Sequence, residues 1–188
     1  MRRTRKIAGI LAVLAFAGGI TTGITRAASA DVVPDPTWNE VVPAFTNQVA
    51  CLDDPGNSTT VGTPIQLFHC HGYGSDGAPQ RWTFQVWGNL SPGNTLSRIV
   101  SHNLCLGGTE GTVAAPGERV TLRQCSFFGP LWTLHSRNAY SGDPLFTLEL
   151  GDSSGYCLAL PDFSGRNAEP VILEPCDVDA QLQYWTLG

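Results

Sequence analysis

Between Cys51 and Trp82 the chain carries a skeleton of spaced residues that returns twice more, and this recurrence limits it to folds assembled from three copies of one unit. In the first copy Cys51-Leu52 opens the unit, Ile65 and Leu67 stand five and three residues before Cys70, and Trp82-Thr83-Phe84 closes it. The second runs from Cys105-Leu106 through Val120, Leu122 and Cys125 to Trp132-Thr133-Leu134. The third runs from Cys157-Leu158 through Val171, Leu173 and Cys176 to Trp185-Thr186-Leu187. The shared pattern [IV]-x-L-x-x-C has period two, so its aliphatic pair lies on one face of a strand and the residue between them on the other. That second face is free to hold a ligand.

Around these skeletons, short β-favouring runs alternate with turn clusters such as Asp54-Pro55-Gly56-Asn57, Ser91-Pro92-Gly93-Asn94 and Ser141-Gly142-Asp143-Pro144. No segment after residue 30 shows a sustained apolar stripe of helical period, which predicts an all-β fold with helix close to absent. No copy has a second apolar layer of its own. The three must therefore close on one another with threefold pseudo-symmetry to bury their aliphatic rows. Trp82, Trp132 and Trp185 recur with the repeat and read as core.

All six cysteines fall in the repeats, two to each, separated by 18, 19 and 18 intervening residues. One connectivity is self-consistent with the repeat: Cys51 with Cys70, Cys105 with Cys125, and Cys157 with Cys176. Each bridge closes a loop of about 20 residues, worth on the order of 3 kcal/mol in an oxidising compartment. His69-Cys70-His71 has the look of a metal-ligand cluster, but Cys70 already has a partner and no C-x-x-C pair accompanies it. No metal and no cofactor is expected.

Residues 1–30 read as a secretory signal peptide: Arg2, Arg3, Arg5 and Lys6 precede an apolar run from Ile7 to about Ile20, and Ala28-Ser29-Ala30 supplies a small-x-small cleavage site. The apolar run is shorter than the ~20 residues that span a bilayer. Processing would leave a chain starting at Asp31 with 6 basic and 16 acidic side chains, net −10, and no lysine. Such a chain repels phosphate backbones and anionic lipid, so nucleic acid and membrane surfaces are poor partners. Residues 31–42, with Pro34 and Pro36, read as an extended lead-in whose Trp38 is placed to fold back. The domain is assigned to 43–188, with repeats at about 43–90, 91–140 and 141–188. Asn57-Ser58-Thr59 matches a glycosylation sequon within a turn cluster.

Together, Cys51-Leu52-Asp53, the strand Ile65-Gln66-Leu67-Phe68-His69-Cys70 and Gln80-Arg81-Trp82 resemble the ricin B-type lectin family, whose repeats carry a Q-x-W signature. The resemblance spans about residues 43–188 and implies a β-trefoil that binds carbohydrate. It implies roles for five residues of the first repeat. Asp53 holds the position of the acid that clamps two sugar hydroxyls, and Phe68 that of the stacking aromatic. Gln66 shares the face of Phe68, and Gln80 is the Q-x-W glutamine that supports the acid. His71 resembles a polar contact of xylan- and galactose-binding members. Sugar recognition needs this mixture, since vicinal hydroxyls want a carboxylate or amide and the C–H face of the ring wants an aromatic. The competing reading is that Asp53 caps the Asp54-Pro55-Gly56 turn.

One position departs from the family. An asparagine usually precedes the Q-x-W glutamine and bonds the sugar, whereas here Pro79 stands there without a donor. Ser75 and Asp76 are the candidates to substitute for it. The other repeats lack the constellation: the second has Gly107, Thr121, Arg123 and Pro130 at the acid, strand and glutamine positions, and the third has Ala159, Ile172 and Glu174 with only Gln183 retained. One sugar site, for a galactose- or xylose-type saccharide, is thus expected on a secreted monomer. No nucleophile motif supports an enzyme, and Asp53-Asp54 would point to opposite faces of a strand. The alternative is a secreted β-trefoil that engages a protein partner, as the trefoil inhibitors do.

Overall fold

The computed structural model describes residues 38–46, 49–72, 75–91, 93–109, 113–137, 145–151 and 154–188, without the side chains of residues 75–77. The expected signal segment, most of the lead-in and the side chains of Ser75 and Asp76 lie outside the described residues.

Each repeat supplies four strand positions, all of them antiparallel to their neighbours. The first has β1 (Val41–Pro43), β2 (Ala50–Asp53), β3 (Gln66–His69) and β4 (Thr83–Ser91). The second has β5 (Asn94–Ser101), β6 (Leu104–Gly107), the split pair β7 (Glu118–Arg119) and β8 (Thr121–Gln124), then β9 (Trp132–Arg137). The third has β10 (Leu145–Leu150), β11 (Tyr156–Ala159), β12 (Glu169–Pro170) with β13 (Ile172–Pro175), and β14 (Trp185–Leu187). Among the described residues the only helical pieces are 3-10 turns at Ser75–Gln80 and Gln181–Gln183.

Strands β4, β5, β9, β10, β14 and β1 pair in that order, and the Asn39–Trp82 bridge returns β1 to β4, closing a six-stranded barrel. Val41 and Val42, which the sequence assigns to the lead-in, are buried barrel residues because their pairing with Leu187 and Thr186 provides the closing seam. Trp38 does fold back, its ring lying 5.0 Å from the guanidinium of Arg81.

Three hairpins, β2–β3, β6–β8 and β11–β13, cap one end of the barrel, and each is stapled by one of the three expected disulfides. They meet on the pseudo-threefold axis through a closed ring of backbone hydrogen bonds. Ile65 N donates to Val120 O (2.9 Å), Val120 N to Val171 O (2.9 Å), and Val171 N to Ile65 O (3.2 Å). These are the first aliphatic residues of the three [IV]-x-L motifs, so the repeat period places one from each copy on the axis. A buried cluster surrounds them, with Leu52, Leu67, Leu106, Leu122, Leu158 and Leu173 at its centre. Trp82, Trp132 and Trp185 are fully buried, and their indole N–H groups donate to Leu52, Leu106 and Leu158 carbonyls at 2.9, 2.8 and 3.0 Å. A buried indole needs such an acceptor; here the same bond ties barrel to cap three times. The result is a β-trefoil.

Candidate functional site

The β2–β3 hairpin places Asp53 opposite Gln66 and Cys51 opposite Phe68. Leu52 and Leu67 enter the core, leaving Gln66 and Phe68 half-buried on the other face, as strand parity predicts. Both oxygens of the buried Asp53 carboxylate are held by amides: Gln66 Nε2 donates to Oδ2 (2.9 Å) and Gln80 Nε2 to Oδ1 (3.3 Å). Gln80 Nε2 also reaches His69 O at 2.9 Å, and its Oε1 accepts from His71 N at 2.8 Å. The 3-10 turn delivers Gln80, and Pro79 within it accepts a hydrogen bond from Asp54 N (2.8 Å), fastening the turn to the end of β2. The exposed ring of His71 meets Phe68 edge-on at 5.5 Å and lies 5.9 Å from that of His69. The five first-repeat residues are therefore one constellation, with His71 contributing both a backbone donor and a ring.

Asp54, not Asp53, caps the following turn: its Oδ1 accepts from Ser58 N at 3.0 Å. Its other oxygen accepts from Ser101 Oγ (3.3 Å) and lies 3.6 Å from His102 Nδ1, linking the first cap to the second repeat. Burial raises the carboxyl pKa of Asp53 above the ordinary 3.8, and the Gln66 and Gln80 amides and nearby His71 pull it partly back. Burial likewise raises Glu40, opposed by Arg81 and then by His71. His71 thus stands near two carboxylates, and Glu40 belongs to the neighbourhood of the site. Sequence reasoning misses Glu40 because it precedes β1, outside the repeat pattern. Glu40 also approaches the Cys51–Cys70 bridge, with Oε2 3.8 Å from Cys51 Sγ; bridged sulfurs offer no thiolate to a metal.

In the third repeat Gln183 makes the same backbone clamp as Gln80, accepting from Asp177 N (3.0 Å) and donating to Pro175 O (2.8 Å). The Q-x-W glutamine is therefore a loop fastener first, and only in the first repeat does it also hold an acid. At the equivalent of Asp53 and Gln66 the third repeat pairs Ala159 with Ile172, and the second pairs Gly107 with Thr121. Pro130 occupies the second repeat's glutamine position, and a Cβ added to Gly107 would lie 2.7 Å from Pro130 Cβ. Arg123, in the register position of Phe68, donates through Nη1 to Gly108 O at 2.5 Å. Glu118 accepts from Thr109 N and Ala115 N at 2.5 and 3.1 Å. With Pro130, Leu131, Leu150 and Phe128, these side chains line a cleft of about 550 Å³.

A model of the ricin-type β-trefoil lectin domain matches residues 40–185. The chain belongs to this family. Among solved structures, this lectin domain is similar to the designed threefold-symmetric protein ThreeFoil, at 19% identity and TM-score 0.59, covering 80% of this chain and 96% of that one. The Rhizoctonia solani agglutinin gives 20% identity and TM-score 0.62 over 84% and 98% of the two chains. The Macrolepiota procera ricin B-like lectin, described in complex with lactose, gives 20% and 0.57 over 83% and 97%. Identities this low relate the folds alone. Among curated proteins no match was found.

Proposed function

We propose that this lectin domain binds one neutral saccharide of galactose or xylose type at the first repeat, without catalysis, and that residues 1–30 export it. One observation carries the reading. Asp53 is fixed at both oxygens by Gln66 and Gln80 beside the Phe68–His71 ring pair, and neither other repeat assembles an acid, an amide and an aromatic in this register. Each Asp53 oxygen keeps a second lone pair for a sugar hydroxyl, and the Phe68 ring suits the apolar face of a pyranose. The net charge of −10 after export disfavours sulfated or phosphorylated ligands. The lactose named with the Macrolepiota lectin is a neutral galactoside, in keeping with this choice.

The test is a glycan array on protein starting at Asp31, followed by titration calorimetry with the best ligand. Asp53→Ala and Phe68→Ala are each expected to weaken binding at least tenfold, about 1.4 kcal/mol. Arg123→Ala and Glu174→Ala, at the Phe68 position of the other repeats, are expected to leave affinity unchanged. Wild-type affinity in Asp53→Ala, or selective capture of heparin-like ligands at physiological salt, would overturn the reading.

A further inference from the structure

Away from Asp53, three aromatic side chains, one from β4 of the first repeat and two from the β8–β9 loop of the second, form an exposed ridge. Phe128 is 93% exposed, Phe127 73% and Trp87 47%. Trp87 meets Phe127 at 5.7 Å and Phe127 meets Phe128 at 5.2 Å, both edge to face. Val86 and Leu90 extend the ridge along β4. The ridge is held in place. Trp87 is the extra residue of a bulge in the β4–β5 ladder, which shifts register between Val86 and Gly88, and bulges re-aim the side chains they carry. Arg98 lies 4.3 Å over the Trp87 ring and donates to Ser126 O (2.6 Å) and Phe127 O (3.1 Å), pinning the hairpin to the β8–β9 loop.

We propose that this ridge docks a second copy of the chain. Three properties select that occupant. At roughly 150–250 Å² per aromatic side chain, the three exposures leave on the order of 400 Å² of aromatic surface, about half of what one partner of a stable pair buries. The missing half adjoins it: Phe128 stands on the rim of the 550 Å³ cleft, whose apolar lining includes Ala114, Pro130, Leu131 and Leu150. A knob beside a hole on one face is what a twofold, self-complementary contact requires, with Phe127 and Phe128 of each copy entering the cleft of the other. Charge is the third property. The sequences Thr83–Ser97 and Ser126–Leu134 contain no Asp, Glu, Lys or Arg. The charged side chains that border them, Arg98 on the ridge and Glu118 and Arg123 in the cleft, are tied to backbone groups of their own copy, so the acidic surface of one copy does not oppose that of the other here. The rings stand at 73° and 86° to one another, which denies a polysaccharide a flat stacking platform. The pair would replace the monomer expected from sequence, and, if the proposed sugar site holds, it would make a one-site lectin bivalent.

Sedimentation velocity from ~1 to ~100 µM tests the proposal, which expects a monomer–dimer equilibrium with a dissociation constant on the order of 10 µM. Phe127→Ser/Phe128→Ser and Phe128→Glu are each expected to weaken association at least tenfold while preserving the β spectrum. Val178→Ser, which removes another exposed side chain, is expected to leave association as in wild type. A wild-type monomer at ~100 µM overturns the proposal, as does a dimer untouched by both ridge variants. Ridge-dependent flotation of a monomeric wild type with phosphatidylcholine vesicles would also overturn it, assigning the ridge to lipid. Sugar titration on the same samples separates this outcome from the fate of the Asp53 site.

Discussion

The first and second repeats share a disulfide-stapled hairpin and a buried tryptophan bonded to the cap, yet one holds an acid and the other a proline against a glycine. The frame and the site are therefore separable. Everything that builds the frame, the axial backbone ring, the leucines and the indole bonds, faces inward or uses main chain. The site residues point the other way. Once an acid is absent, the glutamine beside it can change too, and Pro130 packs into the space that Gly107 leaves.

The largest expected effect comes from forcing the second repeat to imitate the first. Gly107→Asp drives a Cβ to within 2.7 Å of Pro130 Cβ and 3.1 Å of Arg123 Cγ, an overpacking expected to cost about 1–3 kcal/mol. Adding Pro130→Gln should recover part of the loss, because glutamine frees the backbone from the fixed φ of proline so that its Cβ can move away, and its amide can hold the new carboxylate as Gln80 holds Asp53. Urea denaturation of the single and double variants checks this. An undiminished stability in Gly107→Asp would show that the two repeats differ by drift rather than by mutual packing.

A second contrast is with pH, which should act on sugar binding through the first repeat. Asp53 has a raised pKa in the folded state, so the fold holds its proton more tightly than the unfolded chain does. Stability from this protonation is fully present below the ordinary value of 3.8 and is lost as pH rises through the raised folded value. Asp54 and Glu40 shift in the same direction. Acidification through this window therefore favours the fold while discharging the carboxylate proposed to hold the sugar. Calorimetry against pH should show affinity falling as pH is lowered, with the fall setting in at milder acidity than an ordinary aspartate would give, and thermal denaturation midpoints holding or rising over the same interval. Affinity that follows the unfolding curve instead would remove Asp53 from the binding role.

Much of this was legible in the chain because repetition supplies its own controls. The offsets of Ile65 and Leu67 from Cys70 recur twice, so strand parity, the core leucines and the cysteine pairing all follow from one period. Asp53, Gln66 and Gln80 were legible through the Q-x-W resemblance, and the hairpin register brings them together. What escaped has no repeat counterpart. Glu40 lies before β1 and reaches the site only because the barrel closes there. Trp87 sits at a bulge in β4 that lies beyond the repeated positions, and Phe127-Phe128 sit in a loop whose length differs between copies. Asp54 and Asp53 are neighbours of one residue type, and only the turn geometry shows which of them bonds Ser58.

At the axis itself the third repeat departs from the other two, and the energetic consequence is small. Each repeat approaches its axial residue through a turn that donates to a neighbouring leucine carbonyl: Gly62 N to Leu122 O, Gly117 N to Leu173 O and Ala168 N to Leu67 O, at 2.8, 2.8 and 2.9 Å. The three donors have φ of 87°, 76° and 62°, so the third repeat places a side chain in the left-handed region where the other two place glycine. An L residue with a Cβ is disfavoured there by about 1–2 kcal/mol, partly offset by the greater chain entropy that glycine loses on folding. Ala168→Gly should therefore stabilise the domain by about 0.5–1 kcal/mol, read as a higher urea midpoint at unchanged slope. The opposite change, Gly62→Ala, should destabilise by a similar amount, since nothing crowds the Gly62 Cβ position and only backbone strain is added. Equal and opposite shifts would mean that the three turns are interchangeable parts of one frame. A loss of stability in Ala168→Gly would mean that the third repeat has adapted its turn to the alanine, as the second adapted its cap to Pro130.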